Sequence, residues 1–132
     1  MYLLDTNIIS DLMRRPHGRA AERVRSVGFA DLCTSVVVAG ELRFGAAKRN
    51  AARLTQRLAA VLAELPILPI EVPIDAVYGR LRAGLEQRGR PINDPDYWIA
   101  AQTLAGDHIL VTDDSDFASI LELKRENWLV LD

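Results

Sequence analysis

Cysteine is nearly absent from this chain: 132 residues hold one, Cys33. A lone cysteine closes no internal disulfide, and its setting, Asp31-Leu32-Cys33-Thr34-Ser35, reads as that of a buried core thiol. Histidine is almost as scarce, with two. His17 falls in a helix break and His108 beside a strand, and neither has a Cys or His partner at zinc spacing. That argues against a structural zinc site, and equally against a nuclease that activates a ribose 2′-hydroxyl with paired histidines. No Gly-x-x-x-x-Gly-Lys loop is present to cradle a nucleoside triphosphate, and no Gly-x-Ser-x-Gly elbow to present a serine nucleophile. No apolar run approaches the roughly 18 residues of a membrane span. The first residues already form a strand, with no basic leader before a hydrophobic stretch, so the expectation is no signal peptide and a cytoplasmic location.

What remains is an ordinary globular composition, 49% hydrophobic and 26% charged, at a length that suits one domain spanning 1–132. The net charge of -2 hides two opposed populations. Acids gather in a few short segments. Arginines gather elsewhere: Arg14, Arg15, Arg19, Arg23 and Arg25; then Arg43, Arg49, Arg53 and Arg57; then Arg80, Arg82, Arg88 and Arg90. An acidic pocket rimmed by arginine suits a metal-bound phosphodiester, although single arginines of this kind also serve as solvated helix faces.

Hydrophobic periodicity divides the chain into alternating elements. A buried strand occupies 2–5, and Thr6 or Asn7 can cap a helix running to Met13. Pro16-His17-Gly18 breaks that helix, and Arg19 to Val27 resumes. Leu32 to Val38 is rich in β-formers, and a helix carrying Glu41 follows. Leu54, Leu58, Val61, Leu62 and Leu65 lie at helical spacing within 51–65. A proline-bounded strand is expected over 67–72, and a helix from Ile74 to Arg88. Gly89-Arg90-Pro91 forces a loop before a helix over 96–104. Strands are expected at 109–112 and, last, at Trp128-Leu129-Val130-Leu131. Strands in continuous apolar runs, alternating with helices, indicate an α/β fold: a parallel sheet with helices on both faces.

Against that pattern the acids stand out. Asp5 ends the first strand, Glu41 lies just inside a helix, Asp96 precedes Trp98-Ile99-Ala100-Ala101, and Asp113-Asp114-Ser115-Asp116 follows Ile109-Leu110-Val111-Thr112. All sit where strands end or helices begin, the edge of a parallel sheet that carries active sites. Two carboxylates about 4 Å apart cost roughly 4 kcal/mol at an effective dielectric near 20. A divalent cation removes that cost, and hard oxygen donors favour Mg²⁺ or Mn²⁺. Each acid also has a plainer reading. Asp5 can be the N-cap of the next helix, and Glu41 can complement a helix dipole. Asp94 followed by Pro95 makes a good cap pair, and one of the last three aspartates can be a turn residue.

Four segments taken together resemble a known family: Leu3-Leu4-Asp5-Thr6-Asn7-Ile8-Ile9-Ser10, Val38-Ala39-Gly40-Glu41-Leu42-Arg43-Phe44-Gly45, Asp96-Tyr97-Trp98-Ile99-Ala100-Ala101, and Thr112-Asp113-Asp114-Ser115-Asp116-Phe117. They look like the PIN-domain ribonucleases, nearest the bacterial VapC and FitB toxins of toxin–antitoxin pairs, over nearly the whole chain. The resemblance implies a PIN-like three-layer fold around a parallel sheet of about four to five strands. It implies catalytic roles for Asp5, Glu41, Asp96 and Asp114, metal ligation by Asp5, Asp96, Asp114 and Asp116, and support from Thr6 and Thr112. Asn93-Asp94-Pro95 departs from the turn of many relatives and adds a carboxylate at the site's approach. Arg14, Arg43 and Arg90 are the candidates for RNA contact. The implied reaction is Mg²⁺- or Mn²⁺-dependent cleavage of RNA by activated water, leaving 5′-phosphate and 3′-hydroxyl ends. The implied partners are RNA, a second copy of the chain and a small cognate antitoxin, in a heterotetramer or larger, with DNA reached only through the antitoxin and no membrane.

Other readings follow from the same residues. A haloacid-dehalogenase-type phosphatase needs a second aspartate two residues after the first, where this chain has Asn7, and a suitably placed lysine. A receiver domain needs an acidic pair directly after the first strand. A PIN-like binding module that works only through partners remains the rival of a different class, and the complete set of acids speaks against it.

Overall fold

The computed structural model describes residues 1–130. Strands β1 (Tyr2–Leu4), β2 (Leu32–Ser35), β3 (Ile67–Leu68), β4 (Ile109–Val111) and β5 (Arg125–Glu126) form one sheet in the order β3-β2-β1-β4-β5. Every pairing is parallel, with Leu4 opposite Thr34 on one side and Val111 on the other. Six helices connect them: α1 (Thr6–Arg14), α2 (Arg19–Val27), α3 (Val36–Arg49), α4 (Ala52–Ala63), α5 (Ile74–Gln87) and α6 (Asp94–Ala105). Short 3₁₀ turns occupy Phe29–Asp31 and Ser115–Ser119.

Successive strand residues face opposite sides of a sheet, yet Leu3 and Leu4 are both fully buried, as are Leu110 and Val111. Both faces are therefore covered, which is why these strands read as continuous apolar runs. Burial of each such side chain contributes roughly 2 kcal/mol relative to exposure. Cys33 lies at the same depth, and burial pushes its thiol up to about 11, consistent with an inert core residue. Around the sheet, α1 packs against α2, α3 and α4, while α5 runs along α6.

Several boundaries differ from the sequence expectation. β2 ends at Ser35, whose hydroxyl accepts from the Val37 amide at 3.0 Å and starts α3, so Val36 to Val38 are helical rather than extended. The Ser35 cap and the burial of Val38 outweigh β-propensity there, although Val36 itself is exposed. β3 is two residues long rather than six. The last strand is not Trp128-Leu129-Val130-Leu131: β5 is Arg125–Glu126, Trp128 to Val130 form a turn, and Leu131 lies outside the described residues. Trp128 is buried as a plug, its ring 5.2 Å from that of Tyr2 and its indole N–H donating to Glu126. The backbone of the polar pair makes the ladder instead, with Leu110 N donating to Lys124 O and Thr112 N to Glu126 O, both at 2.9 Å.

Candidate metal centre

Asp5 leaves the carboxyl end of the central strand, its amide donating to Val111 O at 3.0 Å. Its carboxylate is buried and already held. Oδ1 accepts from the Thr6 amide at 2.8 Å, and Oδ2 from the Thr112 hydroxyl at 2.7 Å and from Asn7 Nδ2 at 3.3 Å. Asp5 therefore caps α1, in place of Thr6 or Asn7. Capping does not exhaust it, because each carboxylate oxygen can accept more than one partner. Thr112 passes the restraint on: its hydroxyl donates to Asp5 and accepts from the Asp114 amide at 3.0 Å. Thr6 acts through its amide, since its own hydroxyl stands 3.5 Å from Oδ1.

Asp96 arrives from the opposite direction. α6 begins at the carboxyl edge, where the charges of Asp5 and Asp114 reach Asp96 in its first turn. Its N-cap position is Asn93, with Pro95 in the first turn, rather than the Asp94–Pro95 pair expected. Asp114 caps the Ser115–Ser119 turn, its Oδ1 accepting from the Asp116 amide at 2.9 Å, and so sets the position of Asp116. Asp96, Asp114 and Asp116 each offer one oxygen to a common point, the three oxygens lying within 4.8 Å of one another. Oxygens on opposite sides of a Mg²⁺ ion stand about 4.2 Å apart. A slight closing of the group would seat such an ion. The donor set, all hard carboxylate oxygen, fits Mg²⁺ or Mn²⁺.

Electrostatics gather the remaining acids around that point. The Asp96 carboxyl is pushed up to about 7, first by burial and then by the charges of Asp5, Asp114, Glu41 and Asp116. Burial raises Asp5 as well, against the lowering effect of the hydrogen bonds from Thr112 and Thr6. Glu41, on the second turn of α3, is raised by burial and then by the Asp5 charge, although its outer side meets solvent. Five acids therefore act on one another's charge at this edge. Asp5 and Glu41 border the convergent triplet rather than forming part of it.

Asp94 is excluded from this group. Its carboxylate accepts from Arg82 at 3.0 Å and from the Tyr78 hydroxyl, and the Tyr78 ring stacks on Trp98 at 3.9 Å. Asp113 faces away too, accepting from Asn127 at 3.2 Å. Asn7, not singled out as a site residue in the sequence, ties these parts together: its amide nitrogen meets Asp5 and its oxygen accepts from the Asp113 amide at 2.9 Å. Its place two residues after Asp5, on the first turn of α1, was the available signal. Of the candidate RNA-contacting arginines, Arg14 lines a cavity of about 230 Å³ that reaches Glu41, and Arg90 lines one of about 570 Å³ that reaches Asp116. Arg43 is exposed and lines neither.

A parallel α/β sheet with a hard-cation donor set at the carboxyl ends of its central strands defines a class of acid-centred α/β proteins. Comparison with known proteins narrows the class. The PIN domain signature matches residues 2–122. The chain is 31% identical over 131 residues to Ribonuclease VapC1 of Haemophilus influenzae (strain R2866), covering 97% of this chain and 98% of that one. It is 34% identical over 110 residues to Toxin FitB of Neisseria gonorrhoeae, covering 76% and 78%. Among solved structures it resembles VapBC2 from Rickettsia felis bound to a DNA fragment from their promoter, with a TM-score of 0.88 at 28% identity over 96% of this chain and 98% of that one. The chain belongs to the PIN domain family.

Proposed function

We propose that this chain is an endoribonuclease toxin of the VapC kind, dependent on Mg²⁺ or Mn²⁺, that hydrolyses RNA to 5′-phosphate and 3′-hydroxyl ends. The carrying observation is the convergence of Asp96, Asp114 and Asp116 within 4.8 Å, with Asp5 and Glu41 adding charge at the same edge. Similarity to ribonucleases of the VapC kind supports the coarse activity, and the acids support the metal dependence.

Asp96, Asp114 and Asp116 would hold the ion, with Asp5 as a further ligand or as the anion that fixes its position. When bound, the ion supplies positive charge that acidifies a water and stabilises the departing 3′ oxygen. Thr112 keeps Asp5 and the Asp114 backbone in fixed relation, so the ligands do not reorganise as charge develops. Glu41, raised by burial and by the Asp5 charge, would orient a water and take its proton. Arg14, Arg43 and Arg90 would meet the RNA backbone outside the acidic centre. The partners are a cognate antitoxin whose cationic side chain enters the acidic centre, and a second copy of the chain. The similar VapBC2 complex was solved on promoter DNA, and DNA would reach this chain through its antitoxin.

The test is cleavage of a mixed RNA pool by the purified chain in Mn²⁺, in Mg²⁺ and in EDTA, beside Asp96→Asn, with end-group analysis of the products. Metal-dependent cutting that vanishes in the variant is the expected result. Ends carrying 2′,3′-cyclic phosphate would overturn the route. A folded chain that cuts nothing in either metal would favour the binding-module reading.

A further inference from the structure

The end of α5 places Arg88 beside Arg90 at the acidic centre, and the pair gives a definite site to the backbone contact proposed for Arg90 alone. Gly89 adopts a left-handed backbone, φ +69°, and closes α5 with paired bonds: its own amide donates to Glu86 O at 3.1 Å and the Arg90 amide to Leu85 O at 2.8 Å. That turn brings Arg88 and Arg90 to one cavity of about 570 Å³, whose opposite wall is Ser115, Asp116 and Ser119. Arg88 is anchored there, donating to Ser119 O at 3.1 Å. Neither guanidinium has a carboxylate partner among the described residues, although Asp116 lines the same cavity. Asp116 is also one of the three convergent oxygen donors, so the cavity borders the candidate centre through that residue.

The larger hollow beside β5, about 700 Å³, is less suited to an anion. Its Arg23 is bound to Glu126 at 3.2 Å and lies over Trp128, and Glu22 shares the wall. The groove at Arg14 also gathers Arg49 and Arg57, but it reaches Glu41 at the border of the centre and none of the three convergent aspartates. What sets the Arg88–Arg90 cavity apart is that two guanidiniums without a carboxylate partner among the described residues share its lining with Ser115, Ser119 and Asp116, a member of the convergent triplet.

We infer that this cavity is a phosphate subsite: Arg88 and Arg90 bind one backbone phosphate of the RNA strand next to the scissile linkage and set which linkage reaches the acids. This rests on the nuclease reading for its substrate. Guanidinium donors bind a phosphate with charge and paired hydrogen bonds, and a backbone contact positions the strand without reading its bases.

The test reads binding apart from cleavage. Fluorescence anisotropy of a labelled RNA fragment recovered from the pool is followed with Mg²⁺ on the Asp96→Asn background, which leaves the RNA intact. Adding Arg90→Gln should raise Kd about 10-fold and reduce the salt slope by about 0.7, the loss of one single-strand phosphate contact. Arg90→Lys should recover much of the affinity. Arg53→Gln, on the exposed face of α4, sets the baseline for losing any one positive charge. If Arg90→Gln does no more than Arg53→Gln, the subsite is overturned. In the cleavage-competent chain, Arg88→Gln with Arg90→Gln should raise KM, hold kcat within about two-fold and shift the cut by a linkage. An unchanged cut position with unchanged KM would overturn it too. Should the unsubstituted chain cut no RNA, the nuclease reading falls; a labelled single-stranded RNA oligonucleotide then replaces the fragment, and Arg90→Gln against Arg53→Gln still decides whether the cavity holds a phosphate.

Discussion

Asp94 and Asp96 stand two residues apart on the first turn of α6, and their surroundings are opposite. Asp94 meets a cation and a hydroxyl, Arg82 and Tyr78, and its charge is answered within the protein. Asp96 meets Asp5, Asp114, Glu41 and Asp116, and burial and those charges drive its carboxyl to about 7. One turn of helix thus carries a satisfied acid facing outward and an unsatisfied one facing the edge of the sheet. Asp94 is part of the scaffold. Asp96 is a demand for positive charge that the chain itself does not supply, although fourteen arginines and two lysines, the 16 basic residues, lie elsewhere on it. A protein that needed only stability would pair or discard such a group.

The sharpest way to break the contrast is to neutralise each acid in turn. Asp96→Asn should lower RNA cleavage about 1,000-fold, within the range for losing a group that acts on the reacting atoms. Asp94→Asn should change the rate less than about three-fold. Single-turnover assays on one RNA fragment would compare the two, and equal losses would erase the distinction.

Next in size is the hydroxyl that links the two sides of the centre. Thr112→Val removes a donor to Asp5 and an acceptor for the Asp114 amide with little change of volume. Metal affinity or activity should fall about 10–100-fold, the usual consequence of losing a partner that orients ligands. Stability should fall by about 1–3 kcal/mol, because buried partners are left unpaired. Titration with Mn²⁺ and urea unfolding measure the two losses.

Acidity and metal provide a third test. Asp96 has a folded value near 7 against an ordinary 3.8, so the folded state keeps a proton that the unfolded chain releases within that window. Its contribution to stability is full below 3.8 and is lost as pH rises through about 7. The metal-free chain should melt lower at pH 8 than at pH 5. Mn²⁺ at about 100 times its Kd should add about 2.7 kcal/mol at pH 8, several degrees in Tm, and less at pH 5, where protons compete. Calorimetry with and without EDTA reads the sign directly. A melting point that rises with pH in EDTA would contradict the crowding of charge.

The smallest effect belongs to the satisfied side. Arg82→Gln should leave the urea midpoint and the cleavage rate nearly unchanged, as loss of an exposed ion pair does. Loss of activity there would mean that Asp94 does influence the centre.

Much of this arrangement was legible in the chain, and the misses have physical causes. β1 and α1 were readable because an apolar triplet followed by Asp, Thr and Asn signals both burial and a helix start. Asp96 was readable as a first-turn acid, but the reason it is free was not. Asn93 takes the N-cap position without a side-chain cap bond, and Asp94 turns to Arg82, twelve residues back on α5, a partner found only after α5 packs along α6. The final strand failed for a related reason. Hydrophobicity pointed to Trp128-Leu129-Val130-Leu131, whereas an edge strand needs only backbone groups in register, and Arg125–Glu126 supplied them. Asn7 passed as a capping residue, although its side chain spans to the loop after β4.

Sequence by itself determined the alternation of buried strands and helices, the acids at their junctions, and the family that such an order implies. Those properties depend on side-chain period and local backbone preference, which neighbouring residues specify. Tertiary structure decided which acids converge, which one an arginine quiets, and which arginines face the centre without a carboxylate partner. Charge interacts through space, so its balance at Asp96 is set by residues between 5 and 116 that meet only when the parallel sheet is assembled.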